Sequence, residues 1–258
     1  MTSVSNISIG ANIAGAAASK ARHGMNEAIA RLSTGKRSMY GGDAAGQATA
    51  HQLKARGMSY AQAARNTEDG ISVAQTIESA LLEIASLGQR LRELGVQAEN
   101  SDIHSSTDIT ASTAEVTAIT ATIDAIVTQT LFNGVALMSA GGSETINIGT
   151  TDTTSNDFAI TSTAIAATSG TTTAAAAIAT ADTLLGEVGT SLGNMAAAMS
   201  ALKARQGVAS SASANLLAAA SRMEETDFAK SSANLAKSAI LNQSAMAMVA
   251  QANQAQSA

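Results

Sequence analysis

The sequence predicts a mainly α-helical protein, in which both chain ends form a long, coiled-coil-like helical bundle and the middle forms a small β-hairpin element. Apolar residues recur at heptad spacing in residues 60–100 and 184–251, and a segment rich in Ser, Thr, Ala and Gly separates these two regions. Proline, which would interrupt a long helix, is absent from the 258 residues. Matched helical ends around a dissimilar middle are typical of an assembly subunit and not of an enzyme.

The composition limits both the core and the partners. Aromatic residues make up 2% of the chain and hydrophobic residues 45%, so Ala, Leu, Ile and Met must fill the helix contacts. The net charge of −5 argues against nucleic acid as a partner, because phosphate binding needs a basic face. No apolar run approaches the ~20 residues of a membrane span, and the first 15 residues lack a signal-peptide layout. We therefore expect no membrane insertion, and either a cytosolic protein or export without a cleaved signal.

Three helices are predicted in the first half of the chain. Residues 3–34 form a weak amphipathic helix, and a glycine-containing break after it ends at Asp43, a natural N-cap. A second helix runs over residues 44–100 and a third over residues 105–130. The second helix carries an apolar stripe with a glycine in one seam position: Ile77, Leu81, Ile84, Gly88 and Leu91.

The middle of the chain changes character before the last heptads begin. Residues 132–135 (FNGV) indicate a turn, and alternating patterns over residues 145–148 and 158–161 predict two short strands that pair as a hairpin. Residues 150–175 hold few large apolar groups, so deletion of residues 162–173 is expected to leave helix content nearly unchanged. From residue 184 a heptad helix is predicted, with an apolar stripe formed by Leu192, Met195, Met199, Leu202 and Leu216.

No motif for catalysis or for cofactor or metal binding survives inspection. Gly35-Lys36 resembles part of a phosphate loop, but Ala30 stands where a Gly is needed and Arg37 where Ser or Thr is needed. Glu224 and its acidic neighbours are more typical of a charged helix break than of a catalytic pair. The three histidines are scattered without metal-ligand spacing: His23, His51 and His104.

The charged sequence of residues 90–94 (RLREL) allows two interpretations. In the first, Leu91 and Leu94 point inward and the charged side chains form a solvated face. In the second, the charged side chains form an exposed ridge that a partner could grip. The residues alone favour the solvated face.

Several separated segments share residue patterns with one protein family. In the first half these are residues 30–37 (ARLSTGKR), 43–48 (DAAGQA), 64–72 (ARNTEDGIS), 89–94 (QRLREL) and 132–135 (FNGV). In the second half they are residues 219–223 (AASRM), 227–229 (DFA), 240–241 (IL) and 250–254 (AQANQ). In this order, over roughly residues 25–138 and 184–254, they resemble bacterial flagellin in a short form with a reduced central region.

The resemblance implies a structural subunit of the flagellar filament that drives swimming motility. It implies secretion through the flagellar type III channel without a cleaved signal peptide, and folding under a cap at the tip of an extracellular filament. The implied partners are further copies of the chain in a helical homopolymer, an export chaperone, the filament cap protein and a hook-junction protein. No cofactor and no enzymatic activity are implied.

The resemblance also divides the chain into three parts. Residues 1–43 and 227–258 correspond to the terminal helices of an inner tube, and residues 44–140 and 181–226 to the helices of an outer tube. Residues 141–180 correspond to a short, variable surface region with the β-hairpin. Gly95 stands where the family usually has Ala, which is expected to loosen the ridge that follows residue 89.

In some flagellins this ridge is gripped by a Toll-like receptor of the host. By motif, the resemblance carries that role to Arg90, Glu93, Leu94 and Gln97, and by its spacing before Phe132 to Glu115. Relatives with short central regions are expected to evade the receptor, so both engagement and evasion stay open.

Assembly is assigned to the two apolar stripes, which should face each other. Two alternatives to a filament subunit are a hook–filament junction protein, which shares the terminal helices, and a coiled-coil surface adhesin, which would need an anchor or signal segment. The residues of the two stripes that are assigned to assembly are Ile77, Leu81, Ile84, Leu91, Leu192, Met195, Met199, Leu202 and Leu216.

Overall fold

The computed structural model describes residues 2–37, 43–100, 102–139, 144–150, 158–165, 168 and 173–257. Its helices are α1 (Thr2–Thr34), α2 (Ala44–Glu99), α3 (Ser106–Gln129), α4 (Ala177–Glu224) and α5 (Phe228–Ser257), and a short 3-10 helix (Ala174–Ala176) precedes α4. Its strands are β1 (Leu131–Phe132), β2 (Val135–Ala136), β3 (Thr145–Ile148) and β4 (Phe158–Thr161). The predicted fold class is confirmed, although α4 begins before residue 184.

The strands form two separate antiparallel pairs. β1 pairs with β2 across Asn133 and Gly134, whose φ angles of 49° and 79° are the positive values that a two-residue hairpin turn requires. β3 pairs with β4, with Ile146 opposite Ile160. The turn predicted over residues 132–135 and the predicted hairpin are both confirmed.

The chain divides into two compact units. Unit 1 comprises Met1–Gly57 and Ala214–Ala258, and unit 2 comprises Met58–Ser213. Unit 1 therefore contains both terminal helices, and unit 2 contains α3 and all four strands.

In unit 1, α1 packs along α5 through small side chains. A methyl group added at Gly24 would lie 3.0 Å from Ser238 Oγ. Small residues at a helix contact allow the two axes to come close, because the separation is set by the side chains between them. The buried apolar residues described on these two helices are alanines: Ala14, Ala18, Ala21 and Ala28 on α1, and Ala245 on α5.

In unit 2, side chains from α2, α3, α4 and the hairpin meet in one apolar core. A second, smaller cluster contains Leu91, Leu94 and Val116 together with alanines at the start of α4. The fully buried large residues of the main core are Ile77, Leu81, Ile84, Ile123, Leu137, Ile160, Ile165, Leu184, Met195 and Leu202.

The expectation that residues 150–175 add little to this core is wrong for the part of that range that the structure describes. Ile160 and Ile165 are buried in the main core. Thr168 is buried too, and its Oγ1 donates to the Thr120 carbonyl oxygen at 3.1 Å and approaches Asp124 Oδ1 at 3.0 Å. Two buried isoleucines and one hydrogen-bonded hydroxyl thus anchor this segment in the core, although most of its residues are small. Residues 151–157, 166–167 and 169–172 lie outside the described residues.

Gly95 packs tightly, contrary to the expectation that it would loosen the ridge. A Cβ atom at this position would lie 2.6 Å from Ile178 Cγ1 and 2.8 Å from the Ile178 backbone nitrogen. The missing side chain thus lets the start of α4 approach α2 closely. The predicted seam position of Gly88 is confirmed, since this buried glycine faces Leu184 and Leu185.

Candidate assembly surfaces

Eight of the nine residues assigned to assembly pack inside unit 2. Six of them are fully buried, namely Ile77, Leu81, Ile84, Leu91, Met195 and Leu202, and Leu192 and Met199 are half-buried against the main core. Leu91 belongs to the smaller cluster, apart from the α4 stripe. Leu216 is half-buried and belongs to unit 1. These eight residues therefore stabilise unit 2 itself.

The exposed apolar side chains of unit 1 form a different surface, which the sequence analysis did not single out. The helix pair α1–α5 buries alanines and exposes several of its larger side chains; Ile13 and Met248 are each 65% exposed. Exposed apolar groups favour association, because contact with a partner removes them from water. The exposed large apolar residues of the helix pair, together called the apolar face of α1–α5, are Ile9, Ile13, Ile29, Phe228, Ile240, Leu241, Met246 and Met248.

A sequence signal for this face was present but weak. The large residues of α1 show no heptad register, and those of α5 follow a looser phase than the residues of α4 do. The helices also hold many alanines, which can pack inward and leave the larger residues to point out. A burial pattern of this kind becomes visible only when the partner helix is known.

The charged ridge of α2 is held by ion pairs within unit 2. Arg90 Nε and Nη2 donate to Glu115 Oε1 at 2.9 and 2.7 Å, and Arg90 Nη1 donates to Glu93 Oε2 at 3.2 Å. The hydrogen bonds to Glu115 and Glu93 raise the pKa of Arg90 above its ordinary value. Arg92 Nε donates to Asp182 Oδ1 at 2.8 Å. Two nearby arginines of α2 thus reach α3 and α4.

Leu94 is not part of the exposed ridge. It is 2% exposed and packs with Leu91 in the smaller cluster, as the solvated-face interpretation predicted. Arg90, Glu93, Gln97 and Glu115 are exposed. A partner that docks on this ridge would meet these polar groups and not the Leu94 side chain.

The two chain connections of unit 1 lie side by side. Arg37 N donates to the Glu224 carbonyl oxygen at 2.8 Å, and Thr226 N donates to the Gly35 carbonyl oxygen at 2.9 Å. Lys36 Nζ lies 2.5 Å from Glu224 Oε1. The hydrogen bond from Lys36 lowers the pKa of Glu224, and the charges of Lys36, Lys54 and His51 act in the same direction.

Aspartates cap the helices that follow these connections. Asp43 Oδ1 accepts from Gly46 N at 2.9 Å, which confirms the predicted N-cap of α2. Asp227 Oδ1 accepts from Lys230 N at 3.0 Å at the start of α5. Each cap fixes the residue at which the chain turns into its next helix.

Among the residues that the structure describes, no group of three or more His, Cys, Asp or Glu side chains is placed to hold a metal ion. None of the helices, as far as the structure describes them, is both long and apolar enough to cross a membrane.

Comparison with known proteins gives consistent matches. The family model of the bacterial flagellin N-terminal helical region matches residues 6–143, and that of the C-terminal helical region matches residues 171–258. Flagellin 1 of Proteus mirabilis is 43% identical over 135 residues, which are 52% of this chain and 37% of that protein. Flagellin of Xenorhabdus nematophila is 40% identical over 154 residues, 59% of this chain and 49% of that protein.

A flagellin of Salmonella typhimurium is 42% identical over 134 residues, 52% of this chain and 27% of that protein. The matched part of this chain thus spans about half the length of these relatives or less. The N-terminal family model alone covers more than half of the chain, and the C-terminal model covers most of the remainder. The chain belongs to the bacterial flagellin family.

Proposed function

We propose that this chain is a structural subunit that polymerises into the bacterial flagellar filament outside the cell and serves swimming motility. Membership in the flagellin family supports this function. The single observation that carries it is the apolar face of α1–α5, which leaves large side chains in solvent while alanines fill the contact between the two helices. Burial of that face between copies is favourable by about 25 cal/mol per Å² of apolar surface.

The three-part division of the chain follows from this proposal. Residues 1–43 and 227–258 form the inner tube, where α1 and α5 of many copies bury their apolar faces against each other. Residues 44–140 and 181–226 form the outer tube, and residues 141–180 form the short surface region. The packing of α1 along α5 supports the first of these assignments.

The work of the subunit is mechanical, with no bond made or broken. Flagellins are structural proteins. The close-packed core of unit 2, which contains most of the residues of the two apolar stripes, resists deformation and lets the subunit transmit torque. The stripes serve assembly by keeping each subunit rigid, with Ile77, Leu81, Ile84, Leu91, Leu192, Met195, Met199, Leu202 and Leu216 in this role.

The remaining partners rest on the family resemblance. The subunit passes through the type III export channel without a cleaved signal peptide, with the help of an export chaperone, and folds under the filament cap protein beyond a hook-junction protein. A host Toll-like receptor would contact the exposed ridge of Arg90, Glu93, Gln97 and Glu115. Direct binding of purified subunit to that receptor, compared with a Glu115→Ala variant, decides between engagement and evasion.

Electron microscopy of the purified protein tests the proposed function. Long filaments are expected, whereas short assemblies or no polymer would favour a junction protein instead. The double variant Ile13→Asp/Ile240→Asp places charges on the apolar face of α1–α5 and should abolish filaments while unit 2 stays folded. Ile103→Asp is the matched control, because Ile103 is 81% exposed in unit 2 and should tolerate the change.

A further inference from the structure

The ten methionines of the chain differ widely in exposure where the structure describes them. Met138 and Met195 are buried in the main core of unit 2, where they are 2% and 0% exposed. Two methionines of α5, Met246 and Met248, are 46% and 65% exposed. Both belong to the apolar face of α1–α5, so the surface that the proposed function buries between copies carries two thioethers in contact with solvent.

Met246 and Met248 differ chemically from the isoleucines and the leucine of the same face. A thioether sulfur can be oxidised to a sulfoxide, which turns a flexible apolar side chain into a polar one. A hydrocarbon side chain has no comparable reaction under mild conditions. Because the oxidant must reach the sulfur, the exposed pair on α5 is expected to react much faster than the buried pair in unit 2.

A cation beside Met246 favours the oxidised form. Arg22 Nη2 on α1 donates to Met246 Sδ at 3.5 Å. A thioether sulfur is a weak hydrogen-bond acceptor, whereas the oxygen of a sulfoxide is polar and accepts more strongly. The Arg22 guanidinium can therefore bind the sulfoxide oxygen in the single subunit, where both side chains are exposed.

A sulfoxide on this face opposes association. Burial of a thioether between copies removes apolar surface from water and is favourable. A sulfoxide oxygen instead loses its hydrogen bonds to water on burial, and this loss costs free energy wherever the neighbouring copy offers no donor. The same contact is therefore stabilised by the reduced side chains and weakened by the oxidised ones.

We propose that Met246 and Met248 form a site of reversible oxidation, at which a dissolved peroxide stops a soluble subunit from joining the filament. The inference rests on the proposed polymerisation. In the reaction the O–O bond of the peroxide breaks and an S–O bond forms at Sδ, so the sulfur gives up two electrons. With hydrogen peroxide, the proton of the transferred oxygen moves to the departing hydroxide, and the products are one sulfoxide and one water. Copies already in the filament bury both sulfurs and are protected.

The test uses the full chain in its soluble form. One sample is treated with excess hydrogen peroxide, catalase removes the remaining oxidant, and mass spectrometry of peptides measures the oxygen added at each methionine. The critical concentration, which is the lowest that supports growth on sheared, untreated filament seeds, is then compared with that of an untreated sample. Oxidation should raise it about tenfold or more, because one unpartnered buried polar group weakens an equilibrium by about that factor.

Two double variants locate the effect. Met246→Leu/Met248→Leu removes both sulfurs at nearly constant volume, and peroxide should not change its critical concentration, whatever the untreated value. Met58→Leu/Met223→Leu removes two exposed sulfurs of α2 and α4 and should stay as sensitive as the wild type. Treatment of the oxidised wild type with the two methionine sulfoxide reductases, one for each sulfoxide epimer, should restore growth.

A peroxide effect of equal size in the Met246→Leu/Met248→Leu variant would overturn the proposal and place the sensitive sulfur elsewhere, for example at the half-buried Met25 of α1. Complete oxidation of both sulfurs with no change in critical concentration would also overturn it, and so would equally fast oxidation in filaments and in soluble subunits. In all these cases the untreated wild type forms filaments, and the proposed function stands. An untreated wild type that forms no polymer would instead reject the proposed function itself.

Discussion

At the scale of single residues, small side chains decide where helices can meet. Alanines and Gly24 fill the contact between α1 and α5, and Gly95 admits the start of α4 to within van der Waals contact of α2. The larger apolar residues differ between the two units. Many of those in unit 2 fill the core, and several of those on the helix pair of unit 1 face solvent.

Gly95→Ala should destabilise unit 2 by about 1–3 kcal/mol, because its methyl group would overlap Ile178 and force the start of α4 to move. Gly186→Ala is the matched control in a helix. Nothing lies within 4 Å of a Cβ added there, so alanine should stabilise the protein by about 0.5–1 kcal/mol. Denaturant unfolding measures both changes, and equal stability of the two variants would contradict the tight contact.

Leu202→Asp should prevent unit 2 from folding and abolish filaments, while export of the chain persists. Leu202 is fully buried in the main core, and an unpaired charge there costs several kcal/mol of a total stability of about 5–15 kcal/mol. The control is Val208→Asp, since Val208 is exposed on the same helix. Normal filaments of the Leu202→Asp variant would show that the stripe is not a packed core.

At the scale of elements, each connection is fastened to the helices that it joins. The connection from α1 to α2 and the connection from α4 to α5 share backbone hydrogen bonds. Aspartates cap the first turns of α2 and α5. The segment around β4 is fastened to unit 2 in the same way: Ser162 Oγ donates to the Leu137 carbonyl oxygen at 3.2 Å. Connections that are hydrogen-bonded to the units in this way are part of the folded structure.

Ile165→Ala should cost unit 2 about 2–5 kcal/mol, the usual range for a truncated core isoleucine. Deletion of residues 162–173, expected from the sequence to be harmless, should lower the thermal midpoint further because it removes Ile165 and Thr168 together. Thr161→Ala changes an exposed neighbour and should have little effect. An unchanged midpoint for Ile165→Ala would mean that this segment is dispensable after all.

The Lys36–Glu224 pair should make unit 1 sensitive to acid. The folded pKa of Glu224 lies below its ordinary value of 4.5, so the pair stabilises unit 1 above that value and the contribution is lost as the pH falls through the folded pKa. Glu224→Gln should therefore be less stable than the wild type at neutral pH, with a difference that shrinks in acid. Glu225→Gln, an exposed neighbour, is the control. A constant difference at all pH values would contradict this role of the pair.

Helices, hairpin and turn could be predicted because their signals are local. Heptads mark the helices, Asp43 marks a cap, and Asn133-Gly134 marks a turn. The inward position of Ile165 and the close approach at Gly95 could not be predicted, since both depend on residues distant in the chain. The apolar face of α1–α5 was missed for the same reason, because its outward direction depends on which side of α1 meets α5.

At the scale of the whole molecule, the two units differ in how they bury their apolar residues. Unit 2 holds a core of fully buried large apolar residues and should be stable in the soluble subunit, whereas the helix pair of unit 1 buries mainly alanines and should gain stability when copies meet. We expect a subunit built in this way to stay soluble as a single chain and to become fully packed only in the proposed polymer.

Hydrogen exchange of the soluble subunit and of the filament, resolved along the chain, tests this account most directly. We predict fast exchange over residues 1–30 and 230–258 in the soluble subunit, strong protection of both segments in the filament, and protection of the unit 2 core in both states. Strong protection of both terminal segments already in the soluble subunit would contradict the account. Filaments in which these segments exchange as fast as in the soluble subunit would contradict it as well.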